Sequence, residues 1–278
     1  MCLYTTEIVR EIDSCFIENL RDCSIIKSIF VVGSMSRNDY VFQQNNDYDI
    51  RVLVTEVSEG ILKKIDGVLN NCTNTIRDKF AELVVSYSCI IGPVRFYSND
   101  SKSSLLIHCL VVTEDSLQNL PIMHRISYSK QYRLLYGEDV LNRFKNLKLT
   151  LSGVLNDSEG ICYCMQHLST NEIEYLCWTK GIDGTFVLQN KIEKFTPESA
   201  YEFTRYSLRK CTDNLRDYMV QEERNNYLNE LNNLEAKEMP QMDYMEFTNY
   251  MDFYISNTIN YLKRLYLIAK RLEGVYET

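Results

Sequence analysis

The chain has 278 residues, 45% of them hydrophobic and 24% charged, with 38 acidic against 30 basic residues and a net charge of −8. This length can bury a sizeable core in one large domain or two ordinary ones, and the composition excludes disordered, fibrous and collagen-like classes. The apolar runs, such as Leu105–Val112 with His108 inside, are far too short to span a bilayer. The acidic balance, with no block of lysines and arginines, argues against a nucleic-acid-binding face.

The N-terminus, MCLYTTE, has neither a basic leader nor a signal-like apolar core, which together with scattered cysteines reads as a cytoplasmic protein. The ten cysteines are expected to be reduced thiols. The tightest group, Cys162 and Cys164 with His167, lacks zinc-site spacing. Thr5 and Thr6, followed by Glu7 and by Ile8, Ile12, Phe16 and Leu20, predict a capped amphipathic helix ending near Asp22. Strands follow at about 28–33 and 48–55. Helical pieces are expected at about 58–70 and 73–82, then β segments around 84–91, 93–98 and 104–113, with turns at Gly92-Pro93 and Ser98–Ser101. Beyond about 150 the texture becomes helical. Thr196-Pro197-Glu198 is a helix start, Leu208, Cys211, Leu215 and Tyr218 repeat at helical spacing, and Phe247 to Leu272 carry a second stripe.

The most informative stretch is FVVGSMSRNDYVFQQNNDYDIRVLV, residues 30–54. The run Ile29–Val32 ends at Gly33-Ser34, and Asp47-Tyr48-Asp49 opens a second run, Ile50–Val54. Asp47 and Asp49, one residue apart on a strand, point to the same face. Two like charges held that close repel unless a cation lies between them. Glycine lets a ligand approach the backbone, and exposed N–H groups with a serine hydroxyl can cradle phosphate oxygens. The alternative is an Asn/Asp-rich hairpin loop through Asn45-Asn46-Asp47, which leaves Gly33-Ser34 without a purpose.

A Gly-Ser turn, a spacer and Asp-x-Asp between two strands resembles the signature of the DNA polymerase beta-like nucleotidyltransferase superfamily, over about residues 1–145. Residues 132–141, YRLLYGEDVL, resemble a stretch that follows the core in stand-alone members, with Gly137 making a turn. The resemblance implies an α+β fold: a nucleotidyltransferase domain over 1–150, a mixed sheet backed by helices, then a helical C-terminal domain over 151–278, as in enzymes resembling kanamycin nucleotidyltransferase. It implies that Asp47 and Asp49 bind magnesium, two ions in all. It implies further that Gly33 and Ser34 hold a nucleoside triphosphate, and that a nucleoside monophosphate, AMP in the favoured version, passes to a hydroxyl. The favoured acceptor is a small molecule such as an aminoglycoside-like antibiotic, and the acidic charge suits a cationic one. A homodimer is compatible with this reading. Superfamily members that act as toxins or antitoxins on tRNA or protein, and a degenerate nucleotide-binding regulator, are the alternatives.

One position departs from the pattern. Most members of the superfamily carry a third carboxylate midway along a later core strand, and the strand at 104–113, SLLIHCLVVT, has none. Its central polar residue is His108, readable as a general base or weak metal ligand in place of that acid, or as a core histidine bonded to a backbone carbonyl. Glu172 and Glu174 are the alternative bases. Arg37, three residues after Ser34, is either a triphosphate contact or a solvated loop arginine.

Overall fold

The structure, a computed structural model, describes residues 2–37, 39–42, 46–90, 104–120, 122–147 and 172–194, with single positions 260, 264 and 267. Helix α1 spans Cys2–Leu20, and its apolar stripe, Ile8, Ile12, Phe16 and Leu20, is fully buried. Strand β1 (Ile26–Val32) and strand β2 (Asn46–Val54) follow. Helix α2 covers Glu59–Lys79 without a break, where two helical pieces are expected from the sequence. Asn70 and Asn71 are weak helix formers but not breakers, and buried Leu69, Cys72 and Ile76 carry the apolar stripe across the junction. Ser58 caps its N-terminus by accepting from the Ile61 N–H, and Arg77 and Lys79 complement the dipole at its end.

Strands β3 (Val85–Ile90) and β4 (Leu105–Thr113) lead into the short helix α3 (Glu114–Gln118), which Thr113 and Ser116 close with a reciprocal cap. Helix α4 is Ile122–Lys130, and strand β5 is Tyr132–Gly137. The sheet runs in the order β3-β4-β2-β1-β5. β1 is antiparallel to β2 and β5, whereas β2 and β3 are both parallel to β4. The result is an α+β unit with a mixed sheet backed by helices. The stretch ending at Gly137 is more than a turn: β5 is an edge strand, and its glycine is required. A Cβ on Gly137, at φ +81°, would lie 1.9 Å from the Lys27 carbonyl oxygen.

One face of the sheet packs on α1 and α2. Ile29, Val31, Tyr48, Ile50, Val52, Ile107, Cys109 and Val111 share a core with the helix stripes. Strand alternation therefore turns Asp47, Asp49, Arg51 and His108 to the opposite face. Between the two aspartates, Tyr48 is fully buried on the helix side and donates its hydroxyl to Asp13, which also pairs with Arg133. Burial, then the charge of Asp13, pushes the Tyr48 phenol well above its usual range, so it remains a donor. A hydrogen bond to a charged group contributes about 1.5–3 kcal/mol. This buried anchor fixes the backbone from which Asp47 and Asp49 project.

Strands β6 (Glu172–Lys180) and β7 (Phe186–Lys194) form a two-stranded hairpin, where the sequence reading expects helices. Its residues explain the difference: EIEYLCWTK is rich in aromatic and branched side chains, and Gly181 and Gly184 flank the turn. The chain divides into two compact units, one of residues 1–120, 125–146 and 176–190, the other of 121–124, 147–175 and 191–278. The β segment expected at 93–98 and the C-terminal helices lie outside the described residues, apart from helical positions 260, 264 and 267. Among the described residues, no helix is long and apolar enough to cross a membrane.

Candidate active site

Strand β1 ends at Gly33, which takes φ +76° and ψ −160° and opens a single 3-10 turn, Ser34–Ser36. The Ser36 N–H and hydroxyl both donate to the Gly33 carbonyl, at 3.2 and 2.7 Å. Met35 and Ser36 are buried, while Ser34 faces solvent. Because Val32 pairs with Asp49 across the β1–β2 ladder, this turn sits directly beside the second aspartate. A Cβ on Gly33 would lie 3.1 Å from Asp49 Oδ2. The glycine thus keeps open the space over the carboxylate, and its positive φ is one that other side chains rarely adopt.

The structure brings Gly33, Ser34, Asp47, Asp49 and His108 together. Asp49 pairs in register with His108 of β4, so the two side chains share a face. His108 is buried, and its Nδ1 lies 2.9 Å from Asp49 Oδ1. A site carboxylate is thus one partner of the histidine, beside which the base, metal-ligand and core readings all stand. Arg37 is exposed and pairs with Asp39 at 3.6 Å. Glu172 and Glu174 are exposed on β6.

Three further residues belong to this constellation. Arg51, only 2% exposed, donates Nη2 to Asp49 Oδ1 at 3.3 Å, and Nε and Nη2 to the Tyr128 hydroxyl at 3.4 and 3.3 Å. Its Nη1 donates to the Ile50 and His108 carbonyls, and the guanidinium lies 5.6 Å from the Tyr128 ring centroid. Tyr40 hydrogen-bonds to Ser34 and donates its hydroxyl to Asn46 at 3.0 Å, tying the phosphate-type turn to the start of β2. The sequence carries a signal for Arg51, since Asp47, Asp49 and Arg51 alternate on one strand face. It carries none for Tyr128, which is 77 residues away.

Two carboxylates with a glycine held clear of one of them suit a hard divalent ion. Magnesium is commonly held by one or two carboxylates, with phosphate oxygens and water completing its shell. Among the described residues, no group of three or more His, Cys, Asp or Glu could hold a metal by itself, so the two aspartates would supply part of its shell and other oxygens the rest. Partial burial, then the charge of Asp49, raises the Asp47 pKa, with His108 opposing. The ionised carboxylate is therefore penalised in the folded protein. That penalty is present above the raised pKa and vanishes as pH falls below the ordinary carboxylate range. Asp47→Asn is expected to raise metal-free stability at pH 7 by about a few tenths of a kcal/mol, solvent screening keeping it small. The gain should disappear in acid. Thermal melting of both proteins across pH, without divalent ions, checks the sign; a lower melting temperature for the variant at pH 7 contradicts it.

No family model matches the sequence, and no curated protein does. Solved structures similar to the chain include that of spectinomycin adenyltransferase AAD(9) from Enterococcus faecialis with ATP and spectinomycin. The identity is 10% and the TM-score 0.42, over 93% of this chain and 99% of that one. A toxin-antitoxin structure with AMP-PNP is similar at 12% identity and a TM-score of 0.27, over 58% of this chain and 96% of that one.

Proposed function

We propose that the chain is a metal-dependent nucleotidyltransferase that moves a nucleoside monophosphate, AMP in the favoured version, from a triphosphate to a hydroxyl of a small acceptor. The single observation that supports it most is the juxtaposition of Gly33 with Asp49: a positive-φ glycine turn whose absent side chain leaves room over a carboxylate. In the reaction the acceptor oxygen bonds to the α-phosphorus, the bond to the β-phosphate oxygen breaks, pyrophosphate leaves, and the hydroxyl proton passes to a base. A divalent metal held by Asp47 and Asp49 would stabilise charge on the attacking and leaving oxygens. The Gly33-Ser34 turn holds the terminal phosphates with its N–H groups and hydroxyl, and Arg37 is the nearby cation that can reach them by leaving Asp39. The net charge of −8 suits a cationic acceptor, an aminoglycoside-like molecule among them. Pyrophosphate release with each nucleoside triphosphate against a panel of hydroxylated small molecules tests the proposal. Release with none of them, alongside tight magnesium-dependent triphosphate binding, supports the second reading, a nucleotide-binding regulator. What favours that reading is the buried His108 where a third carboxylate is expected.

His108 acts, in this reading, by holding Asp49. Partners that orient a metal-binding group are typically worth 10–100-fold in affinity or activity, and His108→Ala is expected to lose roughly that in turnover and in metal affinity together. A general base would instead cost roughly 10²–10⁴-fold with metal affinity intact, and the acidic limb of the pH–rate profile would go with it. Turnover, Mn2+ affinity and the pH profile of the one variant separate the two roles. Glu172→Gln and Glu174→Gln are the companion variants, each severe only if that residue supplies the base.

A further inference from the structure

The superfamily resemblance implies two metal ions, yet the cation already built into this site leaves room for fewer. Arg51 is a buried positive charge on the same strand face as both aspartates, held by four oxygen partners: Asp49, Tyr128 and the carbonyls of Ile50 and His108. Burial alone would weaken its charge, but Tyr128 and Asp49 more than offset this and keep the guanidinium protonated.

The geometry at Asp49 decides how many ions can be shared. Oδ1 accepts from Arg51 Nη2 at 3.3 Å and lies 2.9 Å from His108 Nδ1. A carboxylate oxygen has two lone pairs, and two nitrogens already lie within hydrogen-bonding distance of Oδ1. Oδ2 is the oxygen turned to the Gly33 turn. A carboxylate that bridges two divalent ions offers an oxygen to each, and here one oxygen is committed to nitrogen donors. The charges agree: Asp47 and Asp49 contribute −2 and Arg51 returns +1, with a neutral-capable histidine at the third position instead of a carboxylate. A second divalent ion would be placed beside a fixed guanidinium, with no third carboxylate at this site among the described residues and phosphate oxygens alone to hold it.

We infer that this site takes a single divalent ion, held by Asp47, Asp49 Oδ2 and the triphosphate, and that Arg51 sets that number by occupying Asp49 Oδ1. Arg51 is a positioning residue and does part of the charge neutralisation that a second ion performs elsewhere. The inference rests on the nucleotidyltransferase reading of the site, and its test separates the two.

The experiment counts Mn2+ retained per full-length chain, by electron paramagnetic resonance, with a saturating non-hydrolysable ATP analogue. One ion per chain is expected for the wild type and for Arg51→Lys, which keeps the charge. Arg51→Met, neutral and of similar length, is expected to retain two ions, or to bind the first roughly tenfold more tightly or better, because the cation beside the carboxylate is gone. Two ions in the wild type overturn the inference and leave the nucleotidyltransferase reading standing. Failure of the wild type to bind either the analogue or Mn2+ overturns both. Arg51→Met that melts like the wild type, yet keeps its ion count and affinity, reduces Arg51 to a structural residue and overturns the inference. If Arg51→Met does not fold, Arg51→Gln, shorter and neutral, takes its place with the same expected outcomes.

Discussion

On the proposed nucleotidyltransferase reading, Asp49→Asn is expected to reduce pyrophosphate release by about 10²–10³-fold or more, because the charge developing on the transferred phosphoryl group would lose the group proposed to hold its counter-ion. The substitution keeps the shape of the side chain, so the loss is electrostatic. It has a second consequence that the sequence alone does not suggest. Arg51 is 2% exposed and, among the described residues, its carboxylate partner is Asp49. Removing that charge leaves a buried guanidinium with Tyr128 and two carbonyls. Losing one member of a fully buried pair costs about 3–5 kcal/mol. Asp49 is partly exposed, so about 1–3 kcal/mol is the appropriate expectation after solvent screening. The variant should therefore melt lower and turn over far more slowly per folded molecule. Asp49→Glu, which keeps the charge but displaces it by one methylene, should recover stability better than activity. Turnover per folded molecule at the wild-type level in Asp49→Asn would rule out this site.

The sheet was legible in the residues that were locally unambiguous. Apolar runs broken by Gly33 and by Asp47-Tyr48-Asp49 place β1 and β2 to within two residues of their ends, and the four-residue spacing from Ile8 to Leu20 marks α1. The join within α2 was not legible, because Asn70-Asn71 resembles an interruption until burial of the flanking stripe is known. The β6–β7 hairpin was hidden by its length and isolation: nine apolar-mixed residues suit either a strand or part of a helix. At the candidate site, the local motif singles out Gly33, Ser34, Asp47 and Asp49, which the fold brings together, but not what surrounds them. The Asp49–His108 contact depends on a parallel strand pairing 59 residues apart, and the Arg51–Tyr128 contact joins strand β2 to helix α4, 77 residues away. Such partners follow from the tertiary arrangement of strands and helices, which no local pattern encodes. Arg133 shows the same limit: it anchors Asp13, the partner of the Tyr48 hydroxyl, from 120 residues away.

Gly33→Val is expected to lower stability and to weaken binding of a non-hydrolysable triphosphate with magnesium by roughly a hundredfold or more, through two separate effects. A β-branched residue at φ +76° is strained by about 1–3 kcal/mol. Its Cβ alone would already lie 3.1 Å from Asp49 Oδ2, and its methyl groups would extend into the space proposed for cation and phosphate. Strain by itself predicts a lower melting temperature with normal affinity in the molecules that remain folded; occlusion predicts lost affinity as well. Gly33→Ala carries similar backbone strain with the smallest possible side chain, so it is expected to lose stability comparably and affinity less. Gly137→Ala supplies the opposite control: its Cβ would collide with the Lys27 carbonyl at 1.9 Å, so stability should fall while affinity per folded molecule stays normal. Calorimetric titration beside thermal melting reads both quantities for all three variants. If Gly33→Val binds the triphosphate as tightly as the wild type does, the nucleotide lies elsewhere, because no phosphate can share the space that the valine side chain would fill.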